Sequence, residues 1–195
     1  MLCIYRLRDL NTINRVLNKE EIISRSKGGI YRDFYENCIE YQPSVLLDKV
    51  SIQFHGSNAK IKIGRDVRIY NKLYIVCGNN ATITIGAKTT FDSATLCAAY
   101  GDIQIGEECM FSYEVFIRNH DSHFIFDAET GNRINYSKAI RINDHVWIGQ
   151  NTILLAGFAI GTDSIVGAGS VSSSLFPERV VIAGNPAKII REGVV

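Results

Sequence analysis

Between Ile142 and Val171 an apolar position recurs every six residues. Written in blocks, the stretch reads INDHVW, IGQNTI, LLAGFA, IGTDSI, VGAGSV, and an aliphatic residue opens each block: Ile142, Ile148, Leu154, Ile160 and Val166. Glycine follows it at Gly149, Gly161 and Gly167. A small or β-branched residue holds the fifth place at Val146, Thr152, Ser164 and Ser170, with Phe158 the exception. Neither the period of a helix nor the alternation of a plain amphipathic strand gives this spacing. A six-residue repeat predicts a parallel β-helix, whose short strands wind around a narrow shared core. Residues two apart on a strand face the same side, so Val146 and Ile148 point inward and Trp147 between them points outward. Ser164, Ile165 and Val166 follow the same rule. The glycine after each aliphatic residue suits a corner, because it accepts positive φ without penalty. Three blocks make one triangular turn, which sets Trp147 and Ile165 on one outer face and Ile153 and Val171 on another. Two of the three outer faces are then apolar. Such stripes mark contact with another chain, and identical chains prefer closed rings.

The repeat is looser before this stretch. It begins near Val50 and shows as an IxIG phrase at Ile61–Gly64, Ile83–Gly86 and Ile103–Gly106. Ile85, Phe91 and Cys97 keep the period of six, as do Ile105, Phe111 and Ile117, with bulged corners expected at Asn79-Asn80 and Tyr100-Gly101. After Ile117 the next aliphatic opener is Ile142, so about 19 extra residues leave the prism as a loop over about 118–140. A loop of that length on a rigid scaffold is where binding and chemistry are usually carried. Residues 1–48 lack the repeat. Leu10, Ile13 and Leu17 have helical spacing, as do Phe34 and Cys38, and Gly28-Gly29 separates the two stretches. The expectation is a short helical cap over the first coil, since a solenoid needs its open end covered, followed by a repeat domain over 49–195. At the far end Gly184-Asn185-Pro186 reads as a turn and Ala187 to Arg191 as a short closing segment. The fold class is therefore all-β: a parallel β-helix with a helical cap, one long loop and a closing tail.

Composition narrows the function. Lys plus Arg number 21 and Asp plus Glu 20, a near-neutral balance that argues against a nucleic-acid surface. The five cysteines are odd in number and show no CxxC pair. Cys97 and Cys109 fall on hexad positions and read as small core residues, and scattered free thiols fit a reducing compartment. No apolar run is long enough to span a membrane, and Arg6 and Arg8 interrupt the apolar N-terminus, unlike a signal peptide. A soluble, cytoplasmic protein is expected.

The phrases VWIGQNTILLAGFAIG, VGAGSV and AGNPAK resemble the hexapeptide-repeat acetyltransferases. HDSHFIFDAETGNRIN followed by DHVWIG is similar to the branch that O-acetylates bacterial capsule and other surface polysaccharides. The resemblance covers about residues 50–190. It implies a left-handed coil, a homotrimer, acetyl-coenzyme A as donor, a saccharide acceptor, and active sites in clefts between subunits. Handedness comes from the resemblance alone, because other parallel crossovers are almost always right-handed.

Acetyl transfer to a hydroxyl needs a base for the proton, a donor for the tetrahedral oxyanion, and both substrates held in line. A neutral imidazole is the natural base near neutral pH. In similar proteins the loop phrase carries a histidine two residues after an aspartate, which points to His123; a solvated loop histidine is the plain alternative. Asp121 is placed to orient that ring or to bind the acceptor. Asn119, His120 and His145 are candidate substrate contacts, and His120 also reads as pocket lining. Trp147 faces outward beside the returning loop. The resemblance implies an active-site role for it, with its N–H on the carbonyl or oxyanion or its ring walling the sugar; the alternative is packing at the seam between chains. Family likeness runs the pantetheine arm past Gly149, Ala156, Ala168 and Ser173, small residues that tight coils also need, and Lys188 and Arg191 suit the nucleotide phosphates. Some hexapeptide solenoids resemble carbonic anhydrases, with three histidines on zinc. Here His120 and His123 lack an evident third ligand among His145 and His55, so no metal is expected. N-acetylation of an amine and a catalytically silent interaction module stand as alternative functions.

Overall fold

The computed structural model describes residues 15–17, 19–25, 29–42 and 44–194. These residues form a left-handed parallel β-helix of about six turns. Its cross-section has three faces. On face A, Arg68, Thr90, Met110, Trp147, Ile165 and Val181 lie in register as one outward row. On face B the outward row is Tyr74, Thr95, Phe116, Ile153 and Val171. On face C it is Glu40, Lys62, Thr84, Gln104, Arg141 and Ala159. Faces A and B are thus largely apolar from Met110 and Phe116 onward, and face C is polar, as the repeat predicts.

Inside, each face contributes one column. Ile63, Ile85, Ile105, Ile142 and Ile160 stack under face C. Ile52, Ile75, Leu96, Ile117 and Leu154 stack under face B. Ile69, Phe91, Phe111, Ile148, Val166 and Ile182 stack under face A, where Phe91 and Phe111 lie ring on ring at 4.6 Å. All but Ile69 are fully buried or nearly so. At about 1.5–3 kcal/mol per buried aliphatic side chain, these columns are the main source of cohesion.

The corners obey a rule that the sequence hid. Positive φ does not fall on the glycine after the aliphatic residue. It falls two residues later, on Asp66 after Gly64, Lys88 after Gly86, Glu108 after Gly106, Asn151 after Gly149 and Asp163 after Gly161. The glycines are required for a different reason, the closeness of the next coil. A Cβ on Gly86 would sit 2.3 Å from the carbonyl of Gly106, on Gly149 2.6 Å from the Ala168 nitrogen, and on Gly161 2.4 Å from the Glu178 nitrogen.

A second departure concerns Cys97. Face A and face B register as Phe91 with Phe111 but Ala94 with Val115. The coil of Thr90–Ala98 therefore has two residues at this corner, Asp92 and Ser93, where the next coil has three. The deletion moves the inward position from Cys97 to Leu96. Cys97 is half-buried on the outer side of face B, whereas Cys109 is in the core as expected.

The N-terminal region also differs. Its described residues hold one helix, Lys19–Arg25; Leu10 and Ile13 lie outside them. Leu17 ends a strand, Arg15–Leu17, antiparallel to Val50–His55. In place of the second helix is a hairpin, Ile30–Arg32 with Cys38–Tyr41, and the latter strand already starts face C. The reason is Asp33. Its carboxylate accepts from the N–H groups of Tyr35 and Asn37, at 2.9 Å each, and from the Asn37 amide at 3.0 Å. Such side-chain bonds give the backbone an alternative to a helix. Leu17, Ile22 and Tyr31 are buried and join the common core. At the other end, Ala187–Glu192 folds back antiparallel on Val180–Gly184, as the closing segment was expected to do.

One corner edge, between faces C and A, carries a charge ladder. Lys88 bonds Glu108 at 2.6 Å, Glu108 bonds His145 Nε2 at 3.1 Å, His145 Nδ1 bonds Asp163 at 3.2 Å, and Arg179 approaches Asp163 at 3.8 Å. All five occupy the positive-φ place of successive coils. The hydrogen bond to Asp163, then that to Glu108, raises the His145 pKa, and the bond from Lys88 lowers that of Glu108.

Gly161→Ala should destabilise the protein by about 1–3 kcal/mol, because the new Cβ meets backbone rather than a movable side chain. Gly169, at φ 69 with nothing within 4 Å of a Cβ, should accept Asn with a change within about 0.5 kcal/mol; urea unfolding compares the two. A group whose folded pKa is raised stabilises fully below its unfolded pKa, about 6.5 for histidine, and that contribution fades as pH rises through the folded pKa. Thermal melts between pH 6 and 9 should therefore show His145→Asn costing stability at pH 6 and little at pH 9.

Candidate active site

The long loop leaves the prism after Val115–Arg118 on face B and returns at Ile140–Ile142 on face C, within a residue or two of the expected bounds. It is a folded tongue, not a slack excursion. Phe126 pairs with Arg133 in an antiparallel bridge. The Asp127 side chain closes its tip by accepting from Glu129 and Thr130. The guanidinium of Arg133 lies 3.8 Å over the Phe124 ring and 4.9 Å over Tyr136, contacts that rigidify the stem.

Asn135 is the hub of this tongue, and sequence reasoning did not find it. Its oxygen accepts from the Ile125 N–H at 2.7 Å. Its amide donates to the Asp121 carboxylate at 2.9 Å and to the His123 carbonyl at 2.7 Å. The backbone that carries His123 is thus fixed, while its ring is exposed and bonds no other described residue. Asp121 is committed to Asn135 rather than to the His123 ring. No pattern in the sequence marks Asn135, because its partners meet only once the loop folds back.

His120 is a different kind of histidine. With His55, Tyr100, Asp121, Phe124 and Arg133 it lines a hollow of about 200 Å³ beneath the first limb of the loop. Burial first, then the charge of Arg118, lowers its pKa to about 4, and burial lowers that of His55. The Asn119 oxygen, which accepts from Ala99 N–H at 2.9 Å, lies 3.1 Å from His120 Nδ1. An amide oxygen only accepts, so Nδ1 carries the ring proton. A base titrating near 4 is mismatched to proton abstraction at neutral pH. Buried polar atoms without a protein partner collect at this loop root, at His55 Nε2, Arg118 Nε and Asn119 Nδ2. Such atoms are nearly always paired elsewhere in folded chains.

Other expected contacts are placed differently. Asn119 is wholly buried and holds the turn at Ala99 instead of facing outward. His145 has both ring nitrogens on carboxylates, so the corner ladder occupies the groups a substrate would need. Trp147 faces outward as expected and lines a hollow on face A with Tyr70, Asp92, Met110 and Ser112. Its indole N–H donates to Ser112 Oγ at 3.2 Å, which leaves the ring face, not the N–H, free for a ligand. No loop residue lines that hollow. Gly149 and Ala168 stack at the corner between faces A and B, and Ser173 lies beside the corner that follows Ala156. Lys188 and Arg191 are exposed on the closing strand. Among the described residues no group of three or more His, Cys, Asp or Glu is placed to hold a metal.

No protein-family model matches the chain. Individual proteins do. A polysialic acid O-acetyltransferase of Neisseria meningitidis is 38% identical over 143 residues, 62% of this chain and 66% of that protein. A polysialic acid O-acetyltransferase of Escherichia coli O1:K1 / APEC is 33% identical over 138 residues, 71% of this chain and 42% of that protein. The chain thus spans just under two thirds of the first relative and less than half of the second. The solved structure of the polysialic acid-specific acetyltransferase NeuO superposes with a TM-score of 0.73 at 31% identity, over 80% of this chain and 69% of that one. The six-residue period, the left-handed coil, the extruded loop and these likenesses agree: the chain belongs to the hexapeptide-repeat acetyltransferases, in the branch that contains the polysialic acid O-acetyltransferases.

Proposed function

We propose that this protein transfers an acetyl group from acetyl-coenzyme A to a hydroxyl of a capsular or other surface polysaccharide, or of its precursor. The observation that carries this reading is the loop that holds the His123 backbone rigidly and leaves its imidazole open. The likeness to the polysialic acid O-acetyltransferases supports the choice of a hydroxyl acceptor on a saccharide.

In this mechanism His123 takes the hydroxyl proton as the oxygen attacks the thioester carbonyl. The tetrahedral intermediate then collapses, the carbon–sulfur bond breaks, and the imidazolium returns its proton to the thiolate. The products are the sugar acetate and free coenzyme A. Trp147 walls the cleft with its ring. The pantetheine arm lies along Gly149, Ala156, Ala168 and Ser173, and Lys188 and Arg191 meet the phosphates.

The working unit is a homotrimer. Faces A and B meet at an edge, so face A of one chain can bury against face B of the next. A contact between two different surfaces makes a ring when the rotation closes. In that ring the loop of one chain reaches the Trp147 hollow of its neighbour, which supplies the shared site that neither region builds alone.

His123→Ala should lower coenzyme A release in the presence of a saccharide acceptor by at least about 10²-fold and leave the molecular mass in solution unchanged. Sugars bearing a free hydroxyl but no amine are the decisive acceptors; release with amino sugars alone would make the protein an N-acetyltransferase. Ile153→Glu, on face B, should shift sedimentation from trimer to monomer and abolish transfer together. Transfer by a stable monomer would refute the shared site.

A further inference from the structure

His145 has a carboxylate on each ring nitrogen, and the Nδ1 of His120 meets the Asn119 oxygen. The ring of His123 is exposed and bonds no described residue. A histidine that takes a proton is ordinarily aimed by a hydrogen bond to its second nitrogen. Among the described residues no group does this for His123. The direction of its imidazole is inherited from the backbone beneath it, so whatever fixes that backbone also aims the ring.

Asn135 reaches that backbone from the returning limb of the loop. Its amide touches three alternate residues of the outgoing limb. Nδ2 donates to the Asp121 carboxylate at 2.9 Å and to the His123 carbonyl at 2.7 Å, and Oδ1 accepts from the Ile125 N–H at 2.7 Å. A carbonyl and an N–H two residues apart are the pair that an extended segment offers to a facing strand. Here a side-chain amide takes the place of the facing peptide group. Arg133 completes the set. Its Nε lies 3.4 Å from Asn135 Oδ1, and its Nη2 donates to the Asn135 carbonyl at 2.8 Å. The same guanidinium is held over the Phe124 and Tyr136 rings.

The contacts to the outgoing limb need two donors and an acceptor on one short side chain. A primary amide has all three; an ionised carboxylate has no hydrogen to give, and a hydroxyl has one. Aspartate at 135 would also set two carboxylates against each other. Glutamine has the right groups one carbon too far out. The position therefore calls for the chemistry of asparagine, not merely for its bulk.

We propose that Asn135 is a positioning residue for acetyl transfer, which aims the His123 imidazole through the main chain with Asp121 as its second anchor. The catalytic half of this proposal rests on the transfer reading above; the hold on the limb does not. Asn135 touches neither the ring nor the reacting atoms. Its loss moves the base and leaves the chemistry of the base alone. A displacement of about 1 Å at a reacting group costs on the order of 10²-fold in rate.

The full chain and its variants are compared by steady-state transfer and by backbone hydrogen exchange. Asn135→Ala should lower kcat about 10–100-fold and keep the KM for acetyl-coenzyme A within about twofold. The pH at which activity falls on the acid side should not move. Asn135→Asp should be at least as poor near pH 7.5, and its activity relative to wild type should rise toward about pH 5, where the facing carboxylates share a proton and one of them donates again. With Asp121→Asn in the background, an amide again faces a carboxylate, and Asn135→Asp should cost about tenfold less. Exchange of the Ile125 amide should quicken at least about tenfold in Asn135→Ala, while the Asp127, Gly131 and Ile134 amides, bonded within the tip, stay protected. An unchanged kcat, an unchanged Ile125 amide, or equal cost of Asn135→Asp in both backgrounds overturns the proposal. So does loss of protection throughout the tip, which would make Asn135 a residue of loop folding only. A wild type that releases no coenzyme A with any saccharide refutes the transfer reading alone, and the exchange arm still decides whether Asn135 holds the limb.

Discussion

Successive coils stack at the hydrogen-bonding distance of parallel strands, about 4.8 Å, and the rest of the structure answers to that spacing. It leaves no room for a Cβ where one corner passes over the next, hence glycine at Gly86, Gly149 and Gly161. It forces the turn itself two residues onward, where Lys88, Asn151 and Asp163 take a left-handed backbone. It also brings apolar side chains into columns, so that each inward residue packs on the inward residue of the coil before it. A chain that meets these demands in every coil has little freedom left inside. Variation is confined to the outer faces, the corners and the loop.

The candidate site uses all three of those places. The loop supplies a rigid stem with an open imidazole, and the stem is rigid because Asn135 ties its two limbs to one another. Face A supplies the Trp147 ring, held by a serine one coil earlier. The corner at Asp92 and Ser93, one residue short, borders the hollow beside that ring. Each is a local departure from the repeat, and each is stiff because the regular coils on either side are stiff. His120 shows the contrast: enclosed at the loop root and titrating at about 4, it belongs to the scaffold of the loop more than to its chemistry.

What could be read from the sequence is what the repeat imposes on every coil. The period, the inward columns, the outward direction of Trp147 and the bounds of the loop all follow from a steric demand met again and again. What could not be read depends on single events. One missing residue near Asp92 left Ile85, Phe91 and Cys97 in apparent step, so Leu96 was passed over as the core residue. The spacing of Phe34 and Cys38 suggested a helix because the Asp33 side chain, which turns the backbone there, carries no periodic signal. Asn135 and the partners of His145 were hidden for another reason. His145 meets carboxylates 18 and 37 residues away, and only the winding of the chain brings them together.

The ladder at the corner between faces C and A has a bearing on how such a chain finds its order. Coils built on one template are nearly interchangeable, and a strand that docks one storey too high would still bury its isoleucines. Along this edge the signs alternate: Lys88, Glu108, protonated His145, Asp163, Arg179. Skipping a storey sets lysine against imidazolium, or glutamate against aspartate. The edge thus acts as a parity check on winding, and it reads most sharply when the medium is acidic enough to keep the imidazole charged.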